Sequence, residues 1–271
     1  MRRAALAGGA TALVLFTGFP FAWMVLTAFK RSHEIFTTPP TFLPASFTLD
    51  NVTQLFEQTR FGTYLANSVL VASATVLLTL VLATPAAYGL TRFRWRGRDA
   101  VATTVLFTYM FAPIMVIIPF YVLMRSLQLT NTHTGLVLAY SAFCLPFALW
   151  MLRSFFQTIP FELEEAAFID GASRAGALAY VVLPLALPGI IATGTFTFIL
   201  AWNDYIFARV LLSADELKTL PVGIADLYNA SVVDWGMIMS AGMLVLLPVL
   251  AVFVFIQRYL VSGWGSGGIK G

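Results

Sequence analysis

Long apolar blocks without a single charge divide this chain. They lie between Arg3 and Lys30, Arg60 and Arg92, Asp99 and Arg125, Arg125 and Arg153, Arg174 and Asp204, and Asp234 and Arg258. They hold 26, 31, 25, 27, 29 and 23 residues. A helix rises about 1.5 Å per residue and needs about 20 apolar residues to cross a hydrocarbon core of roughly 30 Å, so each block suffices for one crossing. The pattern predicts six transmembrane helices near 9–29, 64–90, 100–124, 134–152, 185–208 and 235–259, and thus an all-α integral membrane protein. Pro85, Pro113, Pro119 and Pro146 fall in the second to fourth of these and are candidate kinks, a use of proline that membrane helices tolerate.

Composition agrees with the pattern. Of 271 residues, 59% are hydrophobic and 11% charged, and the mean hydropathy is +0.84, outside the range of soluble globular chains. The net charge of +3 matters less than its placement. With the amino terminus inside, Arg2, Arg3, Arg92, Arg94, Arg96, Arg98, Arg153, Arg174, Arg258 and Lys270 are cytoplasmic, ten of the sixteen basic residues; Lys30, Arg31, Arg60, Arg125, Arg209 and Lys218 are outside. The tight loop 91–99, with four arginines, sets this orientation by the positive-inside rule and places both termini in the cytoplasm. The first apolar block runs from Ala10 to Phe29, longer than a signal-peptide core, and Phe29-Lys30-Arg31 stands where a small-residue cleavage site would be. It is read as a retained first helix.

The longest cytoplasmic segment, 153–184, is polar where it need not be. Pro160 suits the first turn of a helix, and Glu162, Glu164 and Glu165 fall where the helix dipole favours negative charge. A helix is expected over 160–170, with Gly171 as a left-handed cap and Ser173 capping a second helix towards Leu183. Glu165, Phe168 and Ile169 share one face at i, i+3 and i+4. A helix lying on the bilayer surface would carry lysine or arginine on its polar face, and this one carries glutamates and Asp170. Its chemistry fits a groove in a partner protein.

Other chemistry is sparse. Cys144 is the only cysteine, so no internal disulfide forms, and His33 and His133 lack metal-ligand spacing. No G-x-x-x-x-G-K-[ST] phosphate loop is present. Gly263, Gly265 and Gly268 satisfy G-x-G-x-x-G, but after a membrane helix rather than a strand, which removes the dinucleotide reading. Asn203 and Asp204 fall near the outer end of the fifth helix, where ionisable groups are candidates for a substrate path; Trp202 and Tyr205 beside them can stack on a sugar ring. Helix capping and an interfacial aromatic belt account for the same residues.

The run Glu165-Ala166-Ala167-Phe168-Ile169-Asp170-Gly171, followed by Val181, Leu183 and Pro184, resembles the EAA loop of permease subunits in ATP-binding-cassette importers, with valine where isoleucine is usual. Ile159-Pro160-Phe161-Glu162-Leu163-Glu164, Ala201-Trp202-Asn203-Asp204, Thr219-Leu220-Pro221-Val222-Gly223 and Ser266-Gly267-Gly268-Ile269-Lys270-Gly271 resemble the carbohydrate, maltose-type branch. The resemblance implies a type I importer permease fold over 1–271, with 157–184 as a coupling loop and 261–271 as a cytoplasmic tail. It implies a transport subunit of a bacterial or archaeal inner membrane, not an enzyme. ATP and magnesium would sit on a partner ATPase dimer, with a second homologous permease, an extracytoplasmic solute-binding protein and lipid completing the assembly, and no nucleic acid. In that family Glu165 would pair with a basic residue of the ATPase, and Gly267, Gly268 and Lys270 would reach the ATPase interface. The cargo implied is a mono-, di- or oligosaccharide, with a glycerol phosphate or other polyol as the alternative. A stand-alone secondary carrier fits less well, because apart from Asp204 the six blocks hold no carboxylate, lysine or arginine for coupling ions.

Overall fold

The computed structural model describes residues 2–110 and 113–265. Its regular structure is helical throughout the described residues. The principal helices are α1 (Arg2–Ala28), α2 (Asp50–Gln58), α3 (Phe61–Arg92), α4 (Arg98–Thr108), α5 (Pro113–Ser126), α6 (His133–Gln157), α7 (Glu162–Ile169), α8 (Arg174–Leu185), α9 (Leu187–Asn203), α10 (Ile206–Leu211), α11 (Leu220–Tyr228) and α12 (Trp235–Gly265). In α1, α3, α6 and α12 the apolar stretch is long enough to cross a membrane; counting the pairs α4–α5 and α8–α9 as one span each raises four crossings to six.

Two expected helices differ in a way that prolines and a carboxylate explain. The block expected at 100–124 is two helices, with Pro113 opening the second. The block expected at 185–208 begins after a bend of 78° between α8 and α9, where Pro184 and Pro188 each remove a backbone donor from the ladder. Just upstream, residues Leu178–Val182 of α8 widen into a π-helical turn, the local adjustment that accommodates a proline ring one turn later. The same block ends at Asn203, because Asp204 is extended and a new helix starts at Ile206.

The chain divides into two compact units, 1–65 with 219–250 and 66–218 with 251–271. In the first, the carbonyls at the end of α1 have no partner within the helix. Asn51, buried on α2, supplies one: its Nδ2 donates to the carbonyls of Ala28 at 2.9 Å and Lys30 at 2.7 Å. Lys30 donates to the carbonyl of Thr41, and its ammonium lies 4.7 Å from the Trp23 ring centre.

The second unit holds the candidate site. Its core packs small residues of α3 (Ala83, Ala87) against Ala148, Leu149, Leu152 and Phe156 of α6, with Val182 of α8 and Ala186 closing the cluster. Small side chains let membrane helices approach closely and gain dispersion contacts where lipid offers no hydrophobic driving force. Gly189 on α9 makes the point: a Cβ there would overlap the Phe155 side chain of α6. Asn67 on α3 donates to the carbonyls of Glu216 and Lys218, and Asn131 accepts from the amides of Ser213 and Ala214.

Candidate functional site

The segment after α6 is built as its residues require. Helix α7 runs from Glu162 to Ile169, two residues later than proline alone indicated, because Phe161 supplies the first accepting carbonyl to the amides of Glu164 and Glu165. Three glutamates occupy its first turn. Its end is a Schellman motif: the amide of Ala172 donates to the Ala167 carbonyl at 2.9 Å and that of Gly171 to the Phe168 carbonyl at 3.1 Å. Gly171 has φ of 89°, a left-handed conformation open to glycine at little cost. Ser173 then caps α8, its Oγ accepting from the Gly176 amide at 3.1 Å.

The acidic face splits into two chemistries. Glu165 is exposed and forms no ion pair among the described residues, and Ile169 beside it is 86% exposed. Ala166 and Asp170 are exposed, while Ala167 and Phe168 are half-buried; further on, Leu183 is half-buried and Pro184 exposed. Tyr180 on α8 is 84% exposed. An unpaired carboxylate beside large exposed apolar side chains can form a charge-assisted contact inside a desolvating rim, the composition of a protein-docking surface.

Its neighbour Glu164 is the opposite. It is fully buried, with Oε1 2.5 Å from Arg92 Nε and Oε2 accepting from the Tyr88 hydroxyl at 2.7 Å. Arg92 also donates through Nη2 to the Ile159 carbonyl at 2.9 Å, and its guanidinium lies over the Phe161 ring at 5.8 Å. One buried carboxylate thus ties α7 to the last turn of α3, and the same arginine ties the turn after α6. The sequence places Arg92 in the basic loop that flanks an apolar block and Glu164 in the acidic first turn of a helix, and pairs neither with the other. The pair is separated by 72 residues, and no local spacing signals it.

The region around Asp204 is organised from within. Its Oδ1 accepts from the amides of Phe207 at 3.0 Å and Ala208 at 3.3 Å, capping α10, and from the Tyr140 hydroxyl at 2.9 Å. It lines a cavity of about 410 Å3 with Tyr140, Cys144, Pro146, Ala201 and Phe207. Trp202 is 1% exposed, stacked on Phe198 with centroids 5.5 Å apart, and its indole nitrogen makes no hydrogen bond among the described residues. Asn203 and Tyr205 are exposed, and Asn203 Nδ2 turns back to the Ile199 carbonyl. Trp202 therefore serves the interior here, and only Asp204 of the four reaches the cavity. Gly267, Gly268 and Lys270 lie outside the described residues. No group of three metal-ligating side chains comes together among the described residues.

Residues 75–265 match the family described as the binding-protein-dependent transport system inner membrane component. The chain is 36% identical over 263 residues to the diacetylchitobiose uptake system permease protein of Streptomyces coelicolor, covering 96% of this chain and 95% of that one. It is 33% identical over 274 residues to the trehalose/maltose transport system permease protein of Thermococcus litoralis, covering 100% and 98%. Its fold superposes on a chain from the crystal structure of a bacterial ABC transporter involved in the import of the acidic polysaccharide alginate, with a TM-score of 0.81 at 25% identity over 96% of this chain and 98% of that one. Sequence and fold agree along almost the whole length: the chain belongs to the binding-protein-dependent inner membrane component family and is a multi-pass permease subunit of an ABC importer, a transport component that does not itself carry out catalysis.

Proposed function

We propose that this chain passes a sugar across the inner membrane by alternating access, through six spans with both termini cytoplasmic, and that 157–184 is its coupling loop. The observation that carries the reading is the contrast within α7: Glu165 and Ile169 are presented to solvent while Glu164 is locked inside. A partner ATPase dimer, hydrolysing ATP with magnesium, pushes on the exposed face. Glu165 pairs with a basic residue of the ATPase, Ile169 and Phe168 supply apolar contact, and Ala166 and Ala167 allow close approach. Leu183 and Pro184 end the loop, and the Schellman turn at Gly171 keeps the two short helices at a fixed angle. The tail 261–271, through Gly267, Gly268 and Lys270, makes a second contact with the ATPase.

Substrate reaches a second, homologous permease and this chain from an extracytoplasmic binding protein. Along this chain the path passes the cavity that Asp204 lines, with Asn203 and Tyr205 its exposed neighbours in the chain and Trp202 buried behind them. Sugar as cargo is supported by the diacetylchitobiose and trehalose/maltose systems of its relatives. The test is reconstitution with the neighbouring subunits and a screen of sugars for uptake and ATPase stimulation. Glu165→Ala is expected to leave the chain inserted and folded while abolishing sugar-stimulated ATP hydrolysis. Unchanged stimulation would remove the coupling assignment, and a complex that responds to no sugar would remove the cargo.

A further inference from the structure

Where α3 ends, beside the coupling residue Glu165, the chain carries a cavity of about 750 Å3 that lies outside the proposed transport path. Arg92, Arg94, Arg98 and Arg174 line it, against one carboxylate, Glu165. Of these, Arg92 is committed to Glu164, and Arg98 approaches Asp99 only at 3.7 Å, a carboxylate that already holds Arg153. Arg94 has no ion pair among the described residues, and Arg174 is held by the Phe93 ring, 4.8 Å from its centroid. Positive charge therefore converges on open space in excess of the one carboxylate, Glu165, that faces it. Planar guanidiniums with several donors each are suited to the oxygens of a phosphate, which they contact in pairs.

We propose that this cavity binds a phosphate ester, of which an anionic phospholipid headgroup and a soluble phosphate are the two sources. Three observations favour the lipid. The cavity opens at the end of a helix long and apolar enough to cross the membrane, and headgroups lie where such a span ends. Its surroundings are aromatic: Phe93 and Phe161 on the wall and Trp95 in the same loop are each 40% to 44% exposed, and tryptophan is a side chain that settles at the membrane interface. Finally, a second groove, of about 560 Å3, runs along α4 from Asp99, whose charge is met by Arg153 and Arg98, through Ala100, Thr103, Thr104 and Phe107. This flank turns from polar to apolar along the helix, as a surface following a lipid from glycerol to acyl chain would.

The full chain, purified with its complex, is loaded in nanodiscs of phosphatidylcholine with phosphatidylglycerol, and the lipid retained after detergent extraction is measured by native mass spectrometry. Wild type should retain phosphatidylglycerol over phosphatidylcholine. Each arginine beside an anionic surface is worth roughly fivefold in affinity, so Arg94→Gln with Arg98→Gln should weaken retention about 25-fold, and Arg94→Glu alone by more than Arg94→Gln. Arg31→Gln with Arg125→Gln, equal in lost charge and outside the cavity, should retain lipid as wild type does. Equal retention by the cavity variants, or an equal loss in the control, overturns the site. Millimolar inorganic phosphate separates the sources: the lipid assignment expects phosphatidylglycerol to stay, while displacement abolished by the cavity variants assigns the site to a soluble phosphate. Because the readout is bound lipid, a failed coupling assignment at Glu165 leaves this result unaffected.

Discussion

Glu164 and Asp204 stand at helix boundaries in the same unit and are drawn from water by different means. Glu164 is satisfied by Arg92 and Tyr88, side chains more than seventy residues away. Asp204, half-buried, is met by the amides of Phe207 and Ala208, its near neighbours, and by the Tyr140 hydroxyl of α6. A carboxylate met by local amides builds a helix break and a cap. One met by a distant guanidinium fastens two elements together. The residue beside the fastened one, Glu165, is left free for another molecule.

Glu164→Ala strands a buried arginine, and removing one partner of a buried pair costs about 3–5 kcal/mol. The variant should therefore melt well below wild type in detergent, and an unchanged melting temperature would break the comparison. Asp204→Ala loses a cap worth about 1 kcal/mol, whereas Asp204→Asn keeps the accepting oxygen and should melt close to wild type. Equal damage from both would show that the charge, not the cap, matters. Gly171→Ala forces a side chain into the left-handed region at about 1 kcal/mol, with no steric clash to add, since a Cβ at this position would meet nothing within 4 Å. Its mark should be faster amide exchange at Gly171 and Ala172, the donors of the Schellman turn. Glu165→Ala should shift stability by less than about 0.5 kcal/mol, as an exposed substitution does, while acting on ATP coupling alone. A large loss of stability there would mean that Glu165 shares the buried role of Glu164.

Much of the fold was legible because it depends on local quantities. Charge-free length marked α1, α3, α6 and α12, and the caps at Gly171 and Ser173 followed from the conformations those residues adopt cheaply. The break at Asp204 was half legible: capping was one reading of that residue, but the hydrophobic run continued through it and hid the end of α9. The split between α4 and α5 was hidden in the same way. Within the candidate site, the exposed face of α7 was readable from its three- and four-residue spacing, but Trp202 was not, since nothing local says whether an aromatic ring faces a path or the Phe198 beside it.

By itself, the order of residues determined that this chain lives in a membrane, how many apolar blocks it has, where its basic loop falls and which short acidic helix stands apart. These follow from hydration and backbone geometry, which act residue by residue. Only the folded arrangement decided which of two adjacent glutamates would be buried, that Arg92 rather than solvent would meet it, and that the remaining arginines would surround an open cavity. Those outcomes depend on which distant side chains packing brings within about 3 Å, where the cost of burying a charge is offset by a partner or is not.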